Sequence, residues 1–334
     1  MTKQEKIIWG LLAAVLIILF LLSSTDLIIK EKKTEIYPVS VIVGDTTDDY
    51  YVNFHKGVDK AADEYNVDVN FITLYEKGDV KEQMELLERE IGDGTKAVVL
   101  DPIKPLECAA ALNGMTLNSP LIIMGNLFSH DKVRGGISED YGESGRMLGE
   151  AIVSGNQAEV PVFVFTEGLD YGYNREAYNS LFRVLTEAGF RTFLYEKDKE
   201  SSGNSASYQN EDLFRKAIEE TVSLGSGKAV IAALDVQSLD SAADIVKESQ
   251  GYSKYISGLY GIGSTTKVLN RMDQGIVKGL VVSNQFDAGY LSIVKAVEAI
   301  EKSRKREQIV LESYYIEKED LQESRFEKIL YPIE

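Results

Sequence analysis

Residues 37–65 read YPVSVIVGDTTDDYYVNFHKGVDKAADEY. A short β-branched run, YPVSVIVG, has the composition of a buried strand. The stretch VNFHKGVDKAADEY repeats its apolar residues at helical spacing. Between them lie three aspartates, Asp45, Asp48 and Asp49, and two adjacent tyrosines, Tyr50 and Tyr51. A solvated loop with a helix cap is one reading of that junction, and one wall of a binding site is the other. In open parallel sheets ligands sit at the carboxyl ends of strands, and this junction occupies such a place.

The same alternation continues along the chain. VDVNFITL, KAVVLDP and PLIIMGN read as strands, and VKEQMELLEREIGDG and LECAAALNG as the helices between them. A second series begins with the helical GESGRMLGEAIVSG. The strands VPVFVFTEG, RTFLYEK, KAVIAALD, YISGLYGIG and VKGLVVSNQ follow, with helices such as NREAYNSLFRVLTEAGF between them. The tail from Ile309 reads as one strand and a short amphipathic end. Near-continuous apolar strands separated by helices predict parallel sheets covered on both faces. So many βα units fit two doubly wound lobes better than one sheet.

The N-terminal segment stands apart. Ile7 to Leu22 is an uninterrupted apolar run, extended by SST to Thr25. Residues 7–25 would span about 28 Å as a helix, close to the roughly 30 Å of a bilayer core. The residues after it, LLSSTDLIIKEKK, offer neither a small-x-small cleavage site nor a lipoprotein cysteine. The expectation is an uncleaved anchor over 7–25, with a cytoplasmic tail over 1–6, a linker over 26–35 and the body outside the cell.

Charge and composition narrow the function. The formal charge is −17, from 36 basic and 53 acidic residues, which argues against nucleic acid as a partner. One cysteine, Cys108, and two histidines, His55 and His130, make a His/Cys zinc site a poor fit. YGIGST has Thr266 where a dinucleotide fingerprint needs its third glycine. GSGKA has Val222 and Ala229 where a P-loop needs glycine and a hydroxyl. Counted as a calcium loop from Asp45, the turn glycine becomes Tyr50 and the closing glutamate Lys56. No cofactor, metal or catalytic residue is expected. What remains is a mixed set at strand ends: Asp48, Tyr50, Tyr51, Asn126, Asp140, Arg175, Asp235, Tyr260 and Asn284. Planar polar groups of this kind take paired hydroxyls, and aromatic faces stack on the C–H patches of a sugar ring.

That set, in that order, resembles the type I periplasmic binding proteins for sugars, the ribose/galactose-binding group, over about residues 36–330. The opening stretch looks like the group's first strand, ligand loop and first helix, which implies ligand contacts from Asp48, Tyr50 and Tyr51. DYGESGRMLGEAI is similar to the segment opening the second lobe, with Asp140 in a ligand place and Tyr141 for the group's Asn. NREAYNSLF is similar to the segment bearing a ligand arginine, here Arg175, with Ser180 and Leu181 for Gly and Phe. AVIAALDVQSLDSA places Asp235, and VVSNQFDAGY places Asn284 or Gln285. The sequence departs at Gly125-Asn126 and at Tyr260, where the group carries charged or polar clamps.

The resemblance implies two Rossmann-like lobes, 36–139 plus 285–313 and 140–284 plus 314–334, joined by three crossovers near 139, 285 and 314. It implies capture of a sugar-like ligand and a partner that is either a membrane histidine kinase or an ABC permease. A different reading is an enzyme acting on a sugar or nucleotide in the same cleft.

Overall fold

The computed structural model describes residues 2–24, 35–44, 48–75, 78–125, 127–197, 213–220, 228–248, 251–301 and 306–332, without the side chains of 22–24, 48–50 and 253. The chain divides into two compact units, 1–36 and 37–334.

The first unit is a helix, Lys3–Ser24, of 22 residues. Its apolar side chains are exposed along its length, Ile7, Trp9, Leu16 and Phe20 among them. It is long and apolar enough over Lys3–Leu21 to cross a membrane.

The second unit carries two six-stranded sheets. The first contains β1 (Tyr37–Val43), β2 (Val67–Thr73), β3 (Ala97–Leu100), β4 (Leu121–Met124), β5 (Val133–Glu139) and β11 (Glu307–Leu311). Its order is β11-β5-β4-β3-β1-β2, and every pairing is parallel. The second contains β6 (Val162–Thr166), β7 (Thr192–Glu196), β8 (Ala229–Ala233), β9 (Ile256–Ile262), β10 (Gly279–Ser283) and β12 (Ser313–Ile316). Its order is β12-β10-β9-β8-β6-β7, parallel except for β12, which runs antiparallel to β10. Central strands such as AVVL, LIIM, VFVFT and AVIAA are buried at every position, as expected where helices cover both faces.

The chain passes between the sheets three times: from β5 to the helix Tyr141–Gly155, from β10 to the helix Gln285–Ile300, and from β11 directly to β12. This is the two-lobe fold of the type I periplasmic binding proteins, with a three-crossover hinge. The tail expected to hold one strand holds two. Glu312 divides them, and they belong to different sheets.

The second crossover returns a helix to the first lobe. Gln285–Ile300 packs against Asp48–Tyr65 at the separation glycine allows. A Cβ on Gly57 would lie 1.9 Å from the Phe286 carbonyl oxygen, and one on Gly289 would lie 2.1 Å from that of Phe54. Ala288, Ile293 and Ala296 then join Val41, Val99 and Ile122 in one apolar cluster. The first lobe is thus built from chain on both sides of the second.

Candidate functional site

Between the carboxyl ends of the two sheets lies a cavity of about 150 Å³. It is small beside the roughly 300–1,000 Å³ of drug-sized sites. The first lobe contributes Asp101, just past β3, and Glu139, the last residue of β5. The second lobe contributes Tyr141, Glu167, the Tyr171–Asn174 segment and Asp235.

Asp101 is held from three sides. Tyr51 donates its hydroxyl to Oδ2 at 3.0 Å. The Asp101 amide donates to the Ile42 carbonyl at 2.9 Å, and the Asp101 carbonyl accepts from Gln83 Nε2 at 2.8 Å. Gln83 is fully buried, and its Oε1 also accepts from the Ile103 amide at 3.2 Å, so one amide side chain sets the 101–103 turn. Burial pushes the Asp101 carboxyl up to about 6, with the Tyr51 hydroxyl pulling the other way.

Glu139 Oε1 accepts from Gln285 Nε2 at 3.0 Å and from the Ser283 hydroxyl. Its carboxyl is raised by burial, which outweighs these two donors, and the charge of Asp101 adds to the rise. Asp235 is different in kind. Its Oδ2 accepts from Thr166 Oγ1, the Glu167 amide and Asn174 Nδ2, and its Oδ1 from the Ser238 amide, all at 2.9–3.0 Å. It is 6% exposed, and its carboxyl is raised by burial and then by the charge of Glu167. Glu167 forms an ion pair with Lys197.

The lobes touch across the cavity. The Gly172 amide, in the second lobe, donates to the Ile103 carbonyl, in the first, at 2.9 Å. The neighbouring Tyr171 ring has Lys104 Nζ 5.2 Å from its centroid. It also lies against Gly78, where an added Cβ would be 2.5 Å from the Tyr171 hydroxyl. Tyr173 stacks on Tyr141 with centroids 4.1 Å apart and planes within 5°. Away from the cavity, Asn53 and Lys56 of the first lobe donate to the Leu330 and Pro332 carbonyls, each at 3.0 Å.

Residues 39–304 match the family described as periplasmic binding protein domain. The chain belongs to that family. A search of curated proteins by sequence finds no match. Solved structures of periplasmic binding proteins share its fold. GanP, a glucose-galactose binding protein from Geobacillus stearothermophilus, superposes with a TM-score of 0.73 at 15% identity, over 86% of this chain and 99% of its own. An ABC transporter solute binding protein from Agrobacterium vitis with bound D-fucose gives 0.76 at 13%, over 88% and 100%. The XylFII–LytSN complex gives 0.69 at 13%, over 86% and 99%.

In this periplasmic binding protein, three of the residues expected at the ligand site line the cavity: Tyr51, Asp235 and Gln285. Tyr51 is 6% exposed, with its ring packed edge-on against Phe54 and its hydroxyl on Asp101. Of the two alternatives Asn284 and Gln285, Gln285 is the one that lines the cavity. Asn284 caps the helix that follows, accepting from the Asp287 amide at 3.1 Å. Asp140 is likewise a cap, accepting from the Glu143 amide at 2.8 Å.

Two expectations are corrected. Arg175 does not enter the cavity. It is 54% exposed and pairs with Asp170, because Asn174 takes the inward position at the helix start and the next residue lies about 100° further round. Tyr260 stands within β9 rather than beyond its end. It is 1% exposed in the second lobe's core, and its hydroxyl accepts from Asn156 Nδ2 at 3.2 Å. The side chains of Asp48 and Tyr50, and all of Asn126, lie outside the described residues. Asp101, Glu139, Glu167, Tyr171 and Tyr173 were not singled out from sequence. Asp101 carries the signal that would have found it, since it directly follows the apolar run AVVL.

Proposed function

We propose that this chain is a membrane-anchored, extracytoplasmic solute-binding protein that closes on a monosaccharide-sized polyol and reports its capture to a membrane histidine kinase. The observation that carries the reading is the cavity itself. It is small and walled by tyrosines and carboxylates from both lobes, and a backbone hydrogen bond between Gly172 and Ile103 closes it. Ligand that bridges two lobes selects their closed arrangement.

The neighbours of like fold support the ligand class, since one is described as glucose-galactose binding and another holds D-fucose. The XylFII–LytSN complex shows a protein of this fold docked to a second protein, which supports a signalling partner. The neighbour named for an ABC transporter supports delivery to a permease as the second reading. Binding is favoured over catalysis because the second lobe's carboxylates are engaged in holding structure. Asp235 is saturated by four donors and Glu167 is paired with Lys197.

The anchor reading rests on the helix Lys3–Ser24, which exposes apolar side chains all round, a pattern that belongs in lipid. Protease treatment of intact cells should release the body while residues up to about 25 stay with the membrane. A mature N-terminus near residue 25 would replace the anchor with a cleaved signal. The ligand reading is tested by the melting temperature of the full chain in detergent with a monosaccharide panel. A bound sugar raises it by mass action, and a panel without effect refutes the sugar reading.

A further inference from the structure

The charge of the cavity is unbalanced. The two first-lobe carboxylates, Asp101 and Glu139, flank the end of β4 and lie close enough that the charge of one raises the other's proton affinity. Their described partners are neutral: the Tyr51 hydroxyl on Asp101 Oδ2, and Ser283 and Gln285 on Glu139 Oε1. No described residue donates to Asp101 Oδ1 or Glu139 Oε2. No lysine or arginine is among the described residues that line the cavity. Arg175 pairs with Asp170 outside it, and Lys197 is occupied by Glu167. Two half-buried carboxylates without a counter-charge are costly.

Resting on the reading of this cavity as the ligand site, we infer that the ligand carries a cationic amine: an amino sugar or amine-bearing polyol whose ammonium group sits between Asp101 and Glu139. An ammonium supplies three donors, enough for both free carboxylate oxygens and one more acceptor. Tyr51 and Tyr141 present aromatic surface beside the same two groups, which also suits a cation. A metal ion is the weaker occupant. Calcium takes six to eight oxygen ligands, and among the described residues no group of three or more His, Cys, Asp and Glu is placed to hold a metal.

Calorimetry on the full chain in detergent tests this with glucosamine and galactosamine, their parent sugars glucose and galactose, and N-acetylglucosamine as an uncharged derivative. The amines are expected to bind on the order of thirtyfold or more tighter than the uncharged compounds, the range for a desolvated charge pair. Asp101→Asn and Glu139→Gln should each shrink that preference, with circular dichroism melts confirming that both variants fold. Parent sugars that bind as tightly as their amines overturn the inference and leave the sugar-binding reading standing. Binding of none of the five overturns both. Amine preference unchanged in both variants places the ammonium elsewhere and overturns the assignment to Asp101 and Glu139.

Discussion

Gln285 Nε2 donates to Glu139 Oε1 at 3.0 Å, joining the strand end where the chain first leaves the first lobe to the helix start where it returns. Ser283 donates to the same oxygen, so two of the three crossovers meet on one carboxylate that also lines the cavity. Ser144 and Ser313 hydroxyls, 3.0 Å apart, tie in the third. The cavity wall and the crossover junction therefore share Glu139.

Gln285→Ala is expected to loosen that junction. A hydrogen bond to a charged acceptor is worth about 1.5–3 kcal/mol, and its loss should lower ligand affinity and widen the unliganded protein. Small-angle scattering with and without saturating ligand measures both states. A radius of gyration identical to the parent's in each would show that Ser283 alone holds the hinge.

Asp101 predicts a pH dependence of stability. Its carboxyl is raised from 3.8 to about 6 by burial, so the folded state binds a proton more tightly than the unfolded chain. The stability this confers is fully present below about pH 4 and is lost as pH rises through about 6. The gap corresponds to about 3 kcal/mol. The groups around it are Tyr51, Glu139, and Glu167 and Asp235 from the second lobe. Glu139 and Asp235 are raised as well and act with the same sign. The melting temperature of the unliganded chain should fall between pH 4 and 7, and Asp101→Asn should flatten part of that fall. An equal slope in the variant would assign the effect to the other carboxylates.

Gly78 lies opposite Tyr171 with φ +79°, and a side chain there meets both strain and the Tyr171 hydroxyl. Gly78→Ala should hold the lobes apart and speed ligand release. Tyr171→Ala removes the ring and makes room for the new methyl. Adding it to Gly78→Ala should therefore cost less than the sum of the single changes. Stopped-flow dissociation rates for the four proteins decide it, and strict additivity counts against the Gly78–Tyr171 contact as the cause of faster release.

Asp235 and Arg175 should behave oppositely. Asp235→Ala strips the acceptor from four donors, three of them from the segment 166–174, and should cost about 3 kcal/mol or more, seen as a marked fall in melting temperature. Arg175→Ala removes an exposed ion pair worth at most about 1 kcal/mol and should leave affinity unchanged. Weakened binding in Arg175→Ala would return the guanidinium to the ligand.

Most of the architecture was legible because apolar strands buried on both faces leave an unbroken signal. The exceptions have physical causes. β5, VRGGISE, carries Gly135, Gly136 and an arginine, too weak a strand composition to stand among the strands expected from sequence. It is a strand because it pairs in parallel with β4 on one side and β11 on the other, a tertiary pairing that overrides a weak local signal. Hiding β5 also hid Glu139 at its end. The split at Glu312 leaves each half too short for sequence spacing to separate. The site was half-legible for a related reason. Resemblance places ligand positions to within a residue, yet Asn174 and Arg175 differ by one residue and point about 100° apart round the helix, one inward and one to solvent.

The three crossovers also set the order in which the protein can fold. Neither lobe is a continuous piece of chain. Until Gln285–Ile300 and β11 have been made, β5 is an open edge and the face carrying Val41, Val99 and Ile122 lacks its cover of Ala288, Ile293 and Ala296. At about 5–20 residues per second, the ribosome takes on the order of ten seconds to travel from the end of β5 to the end of β11. The second lobe's six strands lack only β12 when the first can finally close, so the two must complete almost together. On the extracytoplasmic reading proposed above, the chain is threaded through a membrane before it works, and that delay leaves the first lobe open until its last strand arrives.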